Sequence, residues 1–179
     1  MSSVIDTVPL FDISAEIEVA ADAAAIYTVV SDLGRSGEWS PECQGGEWIS
    51  GTPSTVGAVF RGRNFRPTDV VEWAPLIRGE WFTECQVVAA NPGRTFQWAM
   101  HTHAGANQDS VWGFTLRPAD GGTVLVHHFR MGMATQGIHH IVENLDEEPR
   151  AQFVAEWTAK LQDDLLQTLS QIKNIVENG

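Results

Sequence analysis

PRAQFVAEWTAKLQDDLLQTLSQIKNIVENG, residues 149–179, repeats its apolar side chains at the period of an α-helix. At 100° per residue, Phe153, Val154, Trp157, Leu161, Leu165, Leu169, Ile172, Ile175 and Val176 fall within a sector of roughly 160°, and only Leu166 lies well outside it. Pro149 suits a first helical turn, and Glu147 and Glu148 ahead of it favour the positive end of the helix dipole. Such a helix is about 40 Å long, enough to cross a whole small sheet. A helix with one wide apolar face needs a broad apolar surface to cover it.

The preceding residues supply strands. LFDISAEIEVA alternates, with Phe11, Ile13, Ala15, Ile17 and Val19 on one face and Asp12, Ser14, Glu16 and Glu18 on the other, the pattern of a half-buried strand. ADAAAIYTVVSDLG changes to helical spacing through Ile26, Val29, Val30 and Leu33, with Asp22 at its start and Gly34 as a stop. GEWSPECQGGEW, residues 37–48, is a punctuated corner in which Pro41 and Gly45-Gly46 turn the chain between Trp39 and Trp48. Short strands follow in EWISG and VGAVFRGRN, in EWFTECQVVAA and RTFQWAMHTH, and in SVWGFTLRP and TVLVHHFRMGM. TPST, NPG and ADGG divide the pairs as turns. FRPTDVVEWAPLIRG holds two prolines and reads as a long connection or a ragged strand pair, and TQGIHHIVENLDEE holds one short helix. A run of strands ending in one long helix argues for an α+β fold. The expectation is a curved antiparallel sheet of about seven strands wrapped around the long helix, forming one domain over residues 1–179 with residues 1–9 disordered.

Sorting side chains by strand phase gives each strand one aromatic-rich face, which is placed inward. Phe60 and Asn64 share it on the 58–64 strand, Trp81, Thr83, Cys85 and Val87 on 81–87, and Phe96, Trp98 and Met100 on 95–100. Trp112, Phe114 and Leu116 share it on 110–117, and Leu125, His127, Phe129 and Met131 on 123–131. So many large rings are hard to interdigitate at full density, and a few polar groups stand among them: Asn64, Thr83, the Cys85 thiol and His127. A mostly apolar space with sparse polar groups is the composition of a small-molecule site. Its expected wall includes Trp48 from the corner and Trp157 and Leu161 from the helix, with Trp39 closing over it. Arg61 and Arg63 take the opposite, solvated phase, as do Phe82 and Val88.

Bulk numbers narrow the function. The chain has 179 residues with a net charge of −12 and only 11 Lys and Arg, so neither a nucleic acid nor an anionic membrane surface is an expected partner. No apolar run approaches the length of a membrane span, and the N-terminal segment lacks the pattern of a signal peptide. Two cysteines, Cys43 and Cys85, do not make a disulfide scaffold, which points to a reducing cytoplasm.

Four stretches, VAADAAAIYTVVSDLGRSGEWSPECQGGEW, VGAVFRGRN, TECQVVAANPGRTFQW and FTLRPADGGTVLVHHF, resemble the START-like, helix-grip (SRPBCC) superfamily, and within it the bacterial polyketide cyclase/dehydrase-like group. The resemblance spans roughly residues 10–175, and its GEWSPEC and FRGRN phrases are characteristic of small actinobacterial-type members. It implies a seven-stranded antiparallel sheet gripping a C-terminal helix, two short helices after the first strand, and a hydrophobic or aromatic ligand held between sheet and helix. It also implies the range of roles found in that superfamily: aromatase/cyclases, lipid carriers and co-chaperones. His127 stands where an acidic residue is expected in the family pattern, and segments 65–80 and 133–148 are longer than the subgroup's.

The chemical candidates are few. The histidines fall as His101/His103, His127/His128 and His139/His140; adjacent histidines on a strand point to opposite faces and no cluster completes four ligands, so no metal or other cofactor is expected. No nucleophile elbow, phosphate loop or dinucleotide fingerprint is present, and Cys85 has no basic partner in sequence. His127 alone aims a titratable ring at the inner space. It reads either as a general acid/base for cyclisation or dehydration or as a buried neutral ring bonded to a neighbour. Binding of a hydrophobic, aromatic or polycyclic small molecule by a monomer or homodimer is the leading reading. A polyketide cyclase/dehydrase-type enzyme using His127, and a co-chaperone-like interaction module, are the alternatives.

Overall fold

Residues 8–179 are described by the structure, a computed structural model. Residues 1–7, on which most of the disorder expected for 1–9 falls, lie outside the described residues.

Alternation and turn chemistry produce seven strands: β1 (Phe11–Val19), β2 (Cys43–Ser50), β3 (Val59–Arg66), β4 (Gly79–Asn91), β5 (Thr95–His101), β6 (Asn107–Ala119) and β7 (Gly122–Met131). They form one antiparallel sheet in the order β1-β7-β6-β5-β4-β3-β2. The strands from β2 to β7 each pair with their sequence neighbour, and β1 closes onto β7 with Phe11 opposite Met131 and Val19 opposite Thr123. Between β1 and β2 the chain crosses the mouth of the sheet through α1 (Ala23–Val30) and a short 3-10 turn (Leu33–Glu38).

Local capping sets that crossing. Asp22 caps α1 by accepting from the Ala25 amide at 2.8 Å. The helix ends at Val30, where the Ser31 hydroxyl donates to the Tyr27 carbonyl at 2.6 Å. Asp32 then accepts from the Gly34 amide at 3.1 Å and starts the 3-10 turn. Leu33 therefore opens a second element, where the periodicity predicts one helix stopped by Gly34. The corner also differs from expectation. β2 already begins at Cys43, and Gly45-Gly46 form a bulge within the strand, marked by the register shift between Cys43 and Gly46. Their φ values, +106° and +155°, are ones that side chains rarely adopt.

After β7 come α2 (Gln136–Val142) and α3 (Glu147–Asn178), the latter about 48 Å long. Phe153, Trp157, Leu161, Leu165, Thr168, Leu169 and Ile172 of α3 are buried, while Leu166 is 52 % exposed, as its angle predicts. The helix backbone runs closest to β1 and β7 and to α1, so the inner faces of β3–β6 are covered mainly by side chains. The core divides in two. One cluster gathers Ile26, Val30, Trp39, Phe60, Phe96, Phe114, Leu125 and Leu169; the other gathers Phe11, Phe129, Ile138, Phe153, Trp157 and Leu161. Trp112 packs against both.

Candidate functional site

Each inward phase read from the strands is inward in the fold. Phe60, Asn64, Cys85, Trp98, Phe114, His127 and Phe129 are buried, with Trp157 and Leu161 facing them from α3. Outward Phe82 and Val88 are exposed, and so are Arg61 and Arg63. The rings, however, do not stand apart around a void. Trp39 meets Phe114 edge-on with centroids 5.6 Å apart, Trp48 meets Phe60 at 5.3 Å, Trp98 tilts on Phe114 at 5.9 Å, and Trp112 overlaps Phe129 at 4.1 Å. Tilted and edge-on pairs let aromatic rings fill space that parallel plates would leave open, which is why the expectation of poor interdigitation fails for these pairs. Two concavities lie outside the grip. One is an open dish of about 500 Å³ on the outer face of β2–β4, lined by Gly45, Gly46, Arg61, Arg63 and Phe82. The other, of about 200 Å³, lies beside the β6–β7 hairpin.

The inner face is nonetheless incompletely sealed. Trp81, Thr83, Met100 and Trp112 point inward yet are only half-buried. Register makes them one surface: Trp81 lies opposite Asn64, Cys85 opposite Met100, and Trp98 opposite Trp112. Polar atoms border it. Asn64 Nδ2 donates to Thr83 Oγ1 at 3.0 Å. The half-buried Cys43 thiol lies 3.1 Å from Ser36 Oγ. Both cysteines are free; Cys43 pairs with Asn64 and Cys85 with Phe60, which separates their Cα atoms by on the order of 15 Å at ordinary strand spacing, too far to bridge. Burial pushes the Cys85 thiol up to about 12, leaving it protonated and unreactive.

His127 is 3 % exposed. Its ring stacks on Phe114 with centroids 4.1 Å apart and planes 9° from parallel, and Nδ1 lies 2.8 Å from the Gly113 carbonyl oxygen. Burial is the main cause that lowers its pKa to about 3, against the opposing pull of the Gly113 hydrogen bond. The ring is neutral, and the carbonyl places its one proton on Nδ1, because a carbonyl oxygen only accepts. Of the other histidines, His139 and His140 share Glu143 on the exposed face of α2. Among the described residues no group of three His, Cys, Asp or Glu side chains is placed to hold a metal ion.

A charged clasp at the rim escaped the sequence reading. Arg66, one alternation beyond Asn64, also points inward and is 9 % exposed. Its guanidinium lies over Trp81 at 4.3 Å and Trp157 at 5.0 Å. It donates to Glu42 through Nη2 at 2.7 Å and Nε at 3.3 Å, and through Nη1 to the Ile77 carbonyl at 2.9 Å. Lys160 of α3 donates to the same Glu42 at 2.7 Å and to Asp164 at 2.5 Å; burial pushes the Asp164 carboxyl up despite Lys160. Extending the period-2 reading of β3 by two residues would have found Arg66; nothing in sequence links Glu42 to Lys160. The segment between β3 and β4 proves to be a strap against α3, with Val70, Val71, Ala74 and Leu76 in the second cluster. Trp73 Nε1 donates to Glu156 at 2.5 Å, and Arg78 donates to four carbonyls of the strap, those of Val70, Val71, Glu72 and Ala74.

No curated protein sequence matches the chain. Solved structures do. A polyketide cyclase-like protein of Corynebacterium glutamicum, determined by solution NMR, is 26 % identical over 95 % of this chain and 93 % of its own, with a TM-score of 0.63. An aromatase/cyclase of Streptomyces sp. R1128 is 14 % identical over 94 % of both chains, at 0.63. The di-domain aromatase/cyclase of the steffimycin biosynthetic pathway is 14 % identical over 93 % of this chain and 50 % of its own, at 0.67. The last two share the helix-grip fold. Among the described residues no helix is long and apolar enough to cross a membrane. The family model described as polyketide cyclase/dehydrase and lipid transport matches residues 11–172, nearly the whole chain, and the protein belongs to that family.

Proposed function

We propose that the protein binds a flat hydrophobic small molecule, aromatic or polycyclic, between the inner face of β3–β6 and α3, as a single-domain cytoplasmic protein without a cofactor. One observation carries this reading: Trp81, Thr83, Met100 and Trp112 face the concave side of the sheet yet stay half-buried. A large apolar surface left accessible inside a fold is a surface for a ligand. Where rings already touch, a flat ligand enters by sliding between them, at the seam between the two clusters that Trp112 bridges. The aromatase/cyclases that share this fold support the ligand class.

Catalysis by His127 is the weaker reading. General acid/base work favours a group whose pKa lies near the working pH, and a ring held near 3 is almost never the imidazolium at neutrality and is a weak base. The site therefore reads as a binder first. Native mass spectrometry of the protein purified from its own host tests it: a co-purified small molecule is expected, and Trp112→Ala, checked for folding by circular dichroism, should lose it. A bare mass together with no tryptophan fluorescence response to added naphthalene would overturn the reading.

A further inference from the structure

One polar atom inside the first cluster is enclosed without a hydrogen-bond partner. Trp39 is 4 % exposed, and its indole Nε1–H is closed off from solvent with no hydrogen-bond acceptor in reach. Enclosure that complete also excludes a bridging water. His127 spends its single proton on the Gly113 carbonyl, so Nε2 is left as a bare acceptor with no partner among the described residues. Both rings lie against Phe114: Trp39 edge-on with centroids 5.6 Å apart, His127 stacked at 4.1 Å. One unpaired donor and one unpaired acceptor thus flank a single aromatic ring. Buried polar groups are almost always paired, and leaving the enclosed Trp39 N–H unpaired is costly.

We infer that Trp39 and His127 set the polarity of the ligand: a flat ring system that offers a hydrogen-bond acceptor, such as a carbonyl oxygen, to Trp39 Nε1–H and a hydroxyl to His127 Nε2. This rests on the binding reading above and narrows it, because a plain hydrocarbon, an alkyl chain included, can satisfy neither atom. The contact between Trp39 and Phe114 must part to admit such a ligand. An indole N–H with at best the face of an aromatic ring as acceptor has a weak bond to lose, so a carbonyl oxygen outcompetes it. Trp39 follows the 3-10 turn and stands off the sheet, and a ring mounted on the crossing segment can shift without breaking a strand pair.

Three probes of one shape separate the terms: naphthalene, 2-naphthol and 2-acetylnaphthalene, titrated at pH 7 by tryptophan fluorescence. Each hydrogen bond is expected to tighten binding about three- to tenfold over naphthalene. Trp39→Phe should bring 2-acetylnaphthalene down to naphthalene and spare 2-naphthol; His127→Phe should do the reverse. On the unsubstituted protein, the Trp39 indole N–H resonance should move downfield with 2-acetylnaphthalene and not with naphthalene, a readout that stands even where a variant fails to fold. Equal affinities for all three probes, with that resonance unmoved, overturn the inference and leave the binding reading intact. No binding of any probe, naphthalene included, overturns the binding reading and this inference with it.

Discussion

Acid is the perturbation that isolates His127. In the unfolded chain its pKa is the ordinary 6.5, and in the fold burial holds it near 3. Above pH 6.5 the ring is neutral in both states and contributes nothing to the pH dependence. Below it the unfolded chain takes up a proton that the folded chain refuses, so stability falls steadily until the folded ring also titrates near pH 3. At pH 4.5, two units below the unfolded value, the loss from this one residue is about 2.7 kcal/mol, a substantial part of the roughly 5–15 kcal/mol typical of a domain. Urea denaturation of the protein and of His127→Phe at pH 7.5 and pH 4.5 measures it. Carboxylates and the other histidines, including His128, whose pKa burial also lowers, contribute to both proteins and cancel in the double difference. The variant should lose about 2.7 kcal/mol less on acidification. The His127 ring protons should show no titration midpoint between pH 5 and 8. Equal acid losses in the two proteins, or a midpoint near 6.5, would refute the buried neutral ring and reopen its use as a general base.

Two further predictions test the rim and the corner. Glu42→Gln leaves the Arg66 and Lys160 side chains, 10 % and 18 % exposed, without their shared carboxylate, and should cost about 3 kcal/mol in urea denaturation; Arg66→Met, which leaves Glu42 paired with Lys160, should cost clearly less. Gly46→Ala drives a Cβ into the Arg61 carbonyl oxygen and the Phe60 ring at φ +155°, so a loss of about 3 kcal/mol is expected in thermal unfolding, whereas an unchanged midpoint would mean the bulge relaxes freely.

Legibility in the sequence followed the range of the physics. Strand phase is a local, period-2 property, so the inward placement of Phe60, Trp98, Phe114, His127 and Phe129 could be read without a structure. The boundary at Leu33 turned on competition between two caps: Ser31 and Asp32 divert backbone bonds that an uninterrupted helix would use. The Gly45-Gly46 bulge looked like a turn because glycine pairs serve both purposes, and only the partner strand distinguishes them. Arg66 lies one alternation beyond Asn64, where the strand runs into the proline-bearing strap and the alternating pattern loses its contrast.

The sequence by itself determined the α+β class, which face of each strand turns inward, the amphipathic C-terminal helix, and the family. These depend on the period of each segment and on turn residues, which neighbours three or four positions away already specify. Only the tertiary structure decided how the inner rings share their space, because a tilt or an edge-on contact depends on a residue tens of positions distant. It likewise decided the protonation of His127, which follows from burial under rings of β5 and β6, and the clasp joining Glu42, Arg66 and Lys160, which the corner before β2, the end of β3 and α3 bring together.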